Sequence, residues 1–80
     1  MKLYVGNLSA KTSEDQLRKE FAKYGKVGNI KMNQVPIETS YRFCFVEMPF
    51  ENQAKIAIRE LDGKTIGGQI INIKESGLSS

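Results

Sequence analysis

The pattern of polar and apolar residues predicts β-strands in four short segments of the chain. In the first segment, Leu3 and Val5 alternate with Lys2 and Tyr4, which is the pattern of a β-strand with one buried face. A bulge is expected in the second segment, near Gly28-Asn29. The predicted strands cover residues 2–6, about 27–33, 41–48 and about 69–75.

Two other segments have helical spacing. Ser13 followed by Gln16 fits the capping box of a helix N-terminus, and Gly25 is a natural stop for that helix. A second helix is predicted over about 51–61, where Asp62-Gly63 ends it. The apolar residues expected to face the core from the first helix are Leu17, Phe21 and Tyr24.

The order of these elements, β-α-β-β-α-β, predicts a ferredoxin-like α+β fold. Because crossover connections are right-handed, both helices are expected to pack on one face of a four-stranded antiparallel sheet. The other face of the sheet is then left without a covering layer. Every second residue of each strand should therefore point towards water or towards a ligand.

The third strand shows which side chains are expected on that uncovered face. Cys44 and Val46 suit the space beneath the helices, so Phe43 and Phe45 should point the other way. In the first strand the same argument buries Leu3 and Val5 and leaves Tyr4 beside the two phenylalanines. A cluster of exposed aromatic rings on a small protein usually marks an interaction site.

Composition narrows the choice of function. Eighty residues suit one domain, and a single cysteine excludes an internal disulfide and fits a reducing, cytoplasmic location. The absence of histidine excludes His-dependent triads and His-ligated zinc, and no apolar run is long enough to span a membrane. We expect no catalytic residues, no cofactor, no metal and no small-molecule substrate.

The net charge of +3 is mildly basic and is compatible with a polyanionic partner. Residues 1–31 hold seven Lys or Arg and three acidic residues, giving +4, whereas residues 32–80 have a net charge of −1. Exposed rings flanked by cations suit single-stranded nucleic acid, since bases stack on rings and cations neutralise phosphates. The cations expected on or beside the uncovered face are Lys2, Lys31, Arg42 and Lys74, with Asn29, Asn33 and Asn72 available for base edges.

Two segments carry a family resemblance. Residues 3–8, Leu-Tyr-Val-Gly-Asn-Leu, resemble the RNP2 hexamer of the RNA-recognition motif (RRM), and residues 41–48 resemble its RNP1 octamer. The resemblance covers about residues 1–76 as one domain, and residues 77–80 are expected to form a flexible tail. The chain is also similar to small bacterial proteins that consist of a single RRM. These similarities imply a non-catalytic, monomeric protein that binds single-stranded RNA, with single-stranded DNA left open.

The resemblance also implies individual roles. Tyr4 and Phe43 match positions whose rings stack on bases, and Phe45 matches a ring that packs against sugars. Asn72 and Lys74 match a stretch whose side chains contact base edges. The segment between the second and third strands, residues 33–40, lacks the usual basic sequence, which keeps a protein-binding RRM-like module as an alternative. A small enzyme with this fold is disfavoured, because no phosphate-binding loop, acid pair or metal cluster is visible.

Overall fold

The computed structural model of the protein describes residues 1–9, 11–32 and 42–76. The two helices are α1 (Glu14–Ala22) and α2 (Glu51–Leu61). The strands are β1 (Lys2–Leu8), β2 (Ile30–Met32), β3 (Arg42–Glu47), β4 (Thr65–Ile66), β5 (Gln69–Ile70) and β6 (Asn72–Glu75). No helix in these ranges is long and apolar enough to cross a membrane.

Four strands form one antiparallel sheet in the order β2-β3-β1-β6. The central strands are β1 and β3, where Tyr4 lies opposite Phe45 and Leu3 lies opposite Val46. Directly opposed residues of an antiparallel pair project to the same face, so this register separates aromatic from aliphatic side chains. The predicted ferredoxin-like α+β fold is confirmed.

Both helices pack on the aliphatic face of this sheet and form a single core with it. Leu17 and Phe21 of α1 are fully buried, as are Ala54 and Leu61 of α2. Their partners from the strands are also buried: Leu3, Val5, Cys44, Val46 and Ile73. Cys44 is fully buried in this core, and Tyr24 packs against the core while half-buried.

The helix N-terminus is capped as predicted, but the role expected for Gly25 is wrong. The Ser13 hydroxyl accepts a hydrogen bond of 3.1 Å from the backbone N–H of Gln16. The helix ends at Ala22, and Gly25 does not adopt the left-handed conformation of a C′ residue. Gly25 instead lies against Gln53 of α2, so closely that a Cβ atom would overlap that side chain. Its small size therefore serves helix packing.

The second strand is shorter than predicted, and the irregularity predicted near Gly28-Asn29 is present. The N–H of Gly28 donates to the carbonyl of Glu47 over 2.7 Å, and the N–H of Glu47 donates to the carbonyl of Asn29 over 2.8 Å. Two residues therefore oppose one, which is the geometry of a β-bulge. Regular pairing of β2 with β3 begins only at Ile30.

The segment predicted as one strand, 69–75, is divided in two. Its first part, β5, pairs with β4 in a separate hairpin, and its second part, β6, joins the main sheet beside β1. Gly67 and Gly68 have φ angles of 62° and 85°, which matches the two-residue type I′ turn of a tight hairpin. The side chain of Asn7 attaches this hairpin to β1 by donating to the carbonyl of Ile70 over 2.7 Å.

Candidate nucleic-acid interface

The face of the sheet opposite the helices is called the open face. It carries three aromatic side chains, which are half-buried because they cover one another: Tyr4, Phe43 and Phe45. The polar and charged side chains that share the open face are Lys2, Lys31, Glu47, Asn72 and Lys74. The sequence prediction of an uncovered aromatic face agrees with this arrangement.

The three rings touch one another but have different orientations. The ring centroids of Tyr4 and Phe43 are 5.6 Å apart, and their planes differ by only 33°. Phe45 stands edge-on to both, at 64° to Tyr4 and 83° to Phe43, with centroids 5.9 Å away in each case. The planes of Tyr4 and Phe43 are thus moderately tilted from each other, whereas the plane of Phe45 is steeply inclined to both.

Gly6 determines how the Tyr4 ring lies. A Cβ atom at Gly6 would be 2.8 Å from both Cε2 and Oη of Tyr4, which is shorter than real contacts allow. The ring therefore occupies the space that any larger residue would fill, and it lies along β1 over the glycine backbone. The group that approaches the backbone closely at Gly6 is therefore this ring.

One row of side chains crosses all four strands. Lys31 of β2 lies opposite Phe45, Phe45 lies opposite Tyr4, and Tyr4 lies opposite Lys74 of β6. With strands about 4.8 Å apart, the row is about 14 Å from end to end at its Cα atoms. Both terminal lysines are exposed. An aromatic centre is therefore placed between two ammonium groups.

Two clefts border this row on the side of β2. The aromatic cleft, of about 280 Å³, is lined by Lys31, Met32, Phe43 and Phe45. The edge cleft, of about 290 Å³, is lined by Lys2, Asn29, Ile30, Lys31, Phe45 and Glu47. Lys2 extends over Phe45, with its Nζ atom 5.7 Å from the ring centroid, a distance at which a cation is attracted to the ring face.

Asn29 lines the edge cleft, and seven other predicted contact residues lie on the open face: Lys2, Tyr4, Lys31, Phe43, Phe45, Asn72 and Lys74. Arg42 belongs to β3, but the position of its side chain lies outside the described part of the chain, as do Asn33 and the predicted tail at 77–80. Sequence reasoning did not identify Glu47 as a candidate site residue. The available signal was its alternation with Phe43 and Phe45, which places it on the same face.

Comparison with known proteins shows the family of the chain. The family model of the RNA recognition motif matches residues 3–72. The chain belongs to this family. The RRM assignment confirms the resemblance predicted from RNP1 and RNP2 and, with it, a non-catalytic RNA-binding domain. Among the residues that the structure describes, no three His, Cys, Asp or Glu side chains are grouped as a metal site would require.

Similar proteins come from several organisms. Nuclear cap-binding protein subunit 2 of Xenopus tropicalis is 41% identical over 70 residues, covering 86% of this chain and 46% of that protein. Organelle RRM domain-containing protein 6, chloroplastic, of Arabidopsis thaliana is 37% identical over 78 residues, covering 94% and 42%. The crystal structure of RNA binding protein PG1 superposes with a TM-score of 0.83 at 34% identity, covering 100% of this chain and 98% of that chain. The chain spans less than half the length of the curated relatives it matches.

Proposed function

We propose that this domain binds single-stranded RNA across the open face, with bases stacked on Tyr4 and Phe43. The observation that carries the proposal is the cluster of three touching rings on a face that no element of the described chain covers. Fully burying a large apolar side chain stabilises a protein by about 1.5–3 kcal/mol, so three half-buried rings leave part of that stabilisation unused. A base that stacks on the rings buries their exposed surface, and the resulting stabilisation contributes to the free energy of binding.

The orientations of the rings support a division of roles. Tyr4 lies over Gly6, and the plane of Phe43 is tilted from that of Tyr4 by 33°, the smallest angle among the three ring pairs. Phe45 presents an edge to its neighbours, and the Lys2 ammonium lies over its ring. A ring in that setting suits contact with the ribose between two stacked bases. Tyr4 and Phe43 are therefore the proposed base platforms.

The charges of the row suit the RNA backbone. Lys31 and Lys74 stand at opposite ends of the row, so a chain of nucleotides laid across the aromatic centre passes an ammonium group on each side. Lys2 adds a third cation next to Phe45. Arg42 and Asn72 remain proposed contacts, the first to phosphate and the second to a base edge. We also propose that the domain acts as a cytoplasmic monomer.

The direct test is removal of the proposed contact rings. Phe43→Ala and Phe45→Ala should each weaken binding of a short single-stranded RNA by tenfold or more, within the roughly 1–3 kcal/mol measured per stacked base. Fluorescence anisotropy titration gives the Kd, and circular dichroism verifies that the variants fold. The matched control is Phe50→Ala, because Phe50 is a phenylalanine that is 52% exposed but lies at the N-terminus of α2, away from the open face.

The outcomes separate the proposal from its alternative. Loss of affinity in the two open-face variants, with Phe50→Ala unchanged, supports stacking on the sheet. Unchanged affinity in both open-face variants would reject it. If the intact domain binds no single-stranded RNA at all, the open face is better explained as a protein-binding surface.

A further inference from the structure

Glu47 is unexpected on a surface that binds a polyanion. It is exposed on the open face, directly opposite Lys2, and among the described residues it is the one carboxylate on that face. A negative charge beside the path of the phosphates weakens their attraction to the lysines. A favourable contact between Glu47 and the ligand would explain an acidic residue at this position.

The edge cleft places two complementary polar groups together. The bulge brings both Gly28 and Asn29 opposite Glu47, and the Asn29 amide donates from Nδ2 to Oε1 of Glu47 over a long 3.4 Å. This weak bond leaves most of the hydrogen-bonding capacity of the carboxylate available. Phe45 forms the apolar wall of the same cleft, and Lys31 contributes a further donor.

We propose that the edge cleft is a guanine-selective binding site in which Glu47 recognises the base. This inference rests on the proposed RNA binding. A carboxylate has two acceptor oxygens and no donor. Guanine is the one standard base whose Watson–Crick edge offers two adjacent donors, N1–H and the N2 amino group. Its neighbouring O6 accepts, and Asn29 and Lys31, which also line the cleft, carry donors.

The other bases fit this arrangement poorly. Uracil places a carbonyl oxygen on each side of its single N–H, so its edge brings acceptors against the carboxylate. Cytosine and adenine each offer one amino group next to a ring nitrogen that accepts. Bidentate pairs of this kind discriminate between bases by about 1–3 kcal/mol. The described residues that line the aromatic cleft include no acidic group. Selectivity should therefore reside in the edge cleft.

The test compares two octamers of single-stranded RNA, one of uracil only and one of alternating guanine and uracil. Anisotropy titration should show the intact domain binding the alternating octamer at least fivefold more tightly. In Glu47→Gln this preference should disappear, because an amide offers one acceptor and one donor, which suits the N3–H and O4 of uracil. Replacing guanine with inosine, which lacks the N2 amino group, should remove part of the preference in the intact domain only.

The matched control is Glu75→Gln, which makes the same change of charge. Glu75 is exposed in β6 and lies opposite the buried Leu3, so it is not on the open face. This variant should keep the guanine preference, and any affinity it gains should be equal for both octamers.

Each remaining outcome overturns the inference in a distinct way. Equal affinity of the intact domain for both octamers rejects guanine selectivity and leaves RNA binding in place. An equal gain for both octamers in Glu47→Gln shows that Glu47 acts only as a repelling charge. Binding of neither octamer by the intact domain rejects the proposed function and the inference together.

Discussion

The two faces of the same sheet are built from alternating residues of the same strands, yet only one of them is buried in the core. On the helical face, Leu3 and Val46 are fully buried and contribute to stability. On the open face, Tyr4 and Phe45 lie one residue away along the same backbone and remain accessible. Stability and binding should therefore respond to different substitutions at adjacent positions.

The largest contrast is expected between the effects of Leu3→Ala and Tyr4→Ala on stability and on RNA binding. Leu3→Ala removes a fully buried side chain and should lower the free energy of unfolding by about 2–5 kcal/mol. That is a large share of the stability of a domain of this size. Tyr4→Ala should cost only about 0.5–1.5 kcal/mol from lost ring contacts while weakening RNA binding about tenfold. Urea denaturation and RNA titration of both variants measure the contrast, and equal losses of stability would contradict it.

Gly6→Ala is expected to affect binding through the Tyr4 ring. The new Cβ atom must displace the ring, because only 2.8 Å is available. Affinity for RNA should fall by about threefold, less than the loss on removing the ring itself. The backbone of Gly6 does not have a positive φ, so the loss of stability should not exceed about 0.5–1.5 kcal/mol, the cost expected for the lost contacts of the ring.

A double-mutant cycle tests whether Gly6→Ala affects RNA binding through the Tyr4 ring. In the Tyr4→Ala background, Gly6→Ala should have no further effect on the Kd, since the group it displaces is gone. Additive losses of affinity would show that Gly6 acts by another route, such as direct contact of its backbone with RNA.

The two lysines at the ends of the row should change the dependence of binding on salt. Lys31→Ala and Lys74→Ala should each reduce the slope of log K against log salt by about 0.7, the value for one phosphate contact on a single strand. Lys55→Ala is the control, because Lys55 is paired with Glu51 on the exposed side of α2. A slope that changes equally in all three variants would indicate a general charge effect.

The smallest effect is expected at Glu20, on the helical side of the molecule. Partial burial alone would raise the pKa of Glu20, but the hydrogen bonds and charges of Lys64 and Lys23 hold it below its ordinary value. Glu20 then stabilises the fold above the pKa of the unfolded chain, and this contribution is lost as the pH falls through the lower pKa of the folded state. Glu20→Gln should lower the free energy of unfolding at neutral pH by less than about 1 kcal/mol.

Urea denaturation at about pH 7 and about pH 3 checks this dependence. The difference in stability between Glu20→Gln and the intact domain should shrink at the lower pH, and RNA affinity at neutral pH should not change. A difference that grows on acidification would contradict the sign of the pKa shift.

Much of the fold could be predicted because local patterns agree with it. The second helix has the predicted bounds, Ser13 caps the first, and the alternation in β3 separates Phe45 from Val46 correctly. The break at Ile71 was not predicted. Residues 71–74 alternate as one strand, but the Gly67-Gly68 turn redirects residues 69–70 into a hairpin. The pairing of β6 with β1 joins residues far apart in the sequence, which a local pattern does not contain.

The candidate site, like the fold, was predictable where it follows from a local pattern. The aromatic cluster follows from the strand period and from the family resemblance. The packing of Tyr4 over Gly6 depends on the rotamer of one ring, and the approach of Asn29 to Glu47 depends on the hydrogen bonds of the bulge. Neither arrangement is encoded in residue spacing, so both required the structure.

The most direct test of the open face as the RNA-binding surface is the behaviour of its ring protons. In a proton NMR titration with single-stranded RNA, stacked bases should shift the ring resonances of Tyr4 and Phe43 upfield through their ring currents. The resonances of Phe50, on the other side of the sheet, should stay in place. Ring protons of Tyr4 and Phe43 that do not move while RNA binds would contradict the account.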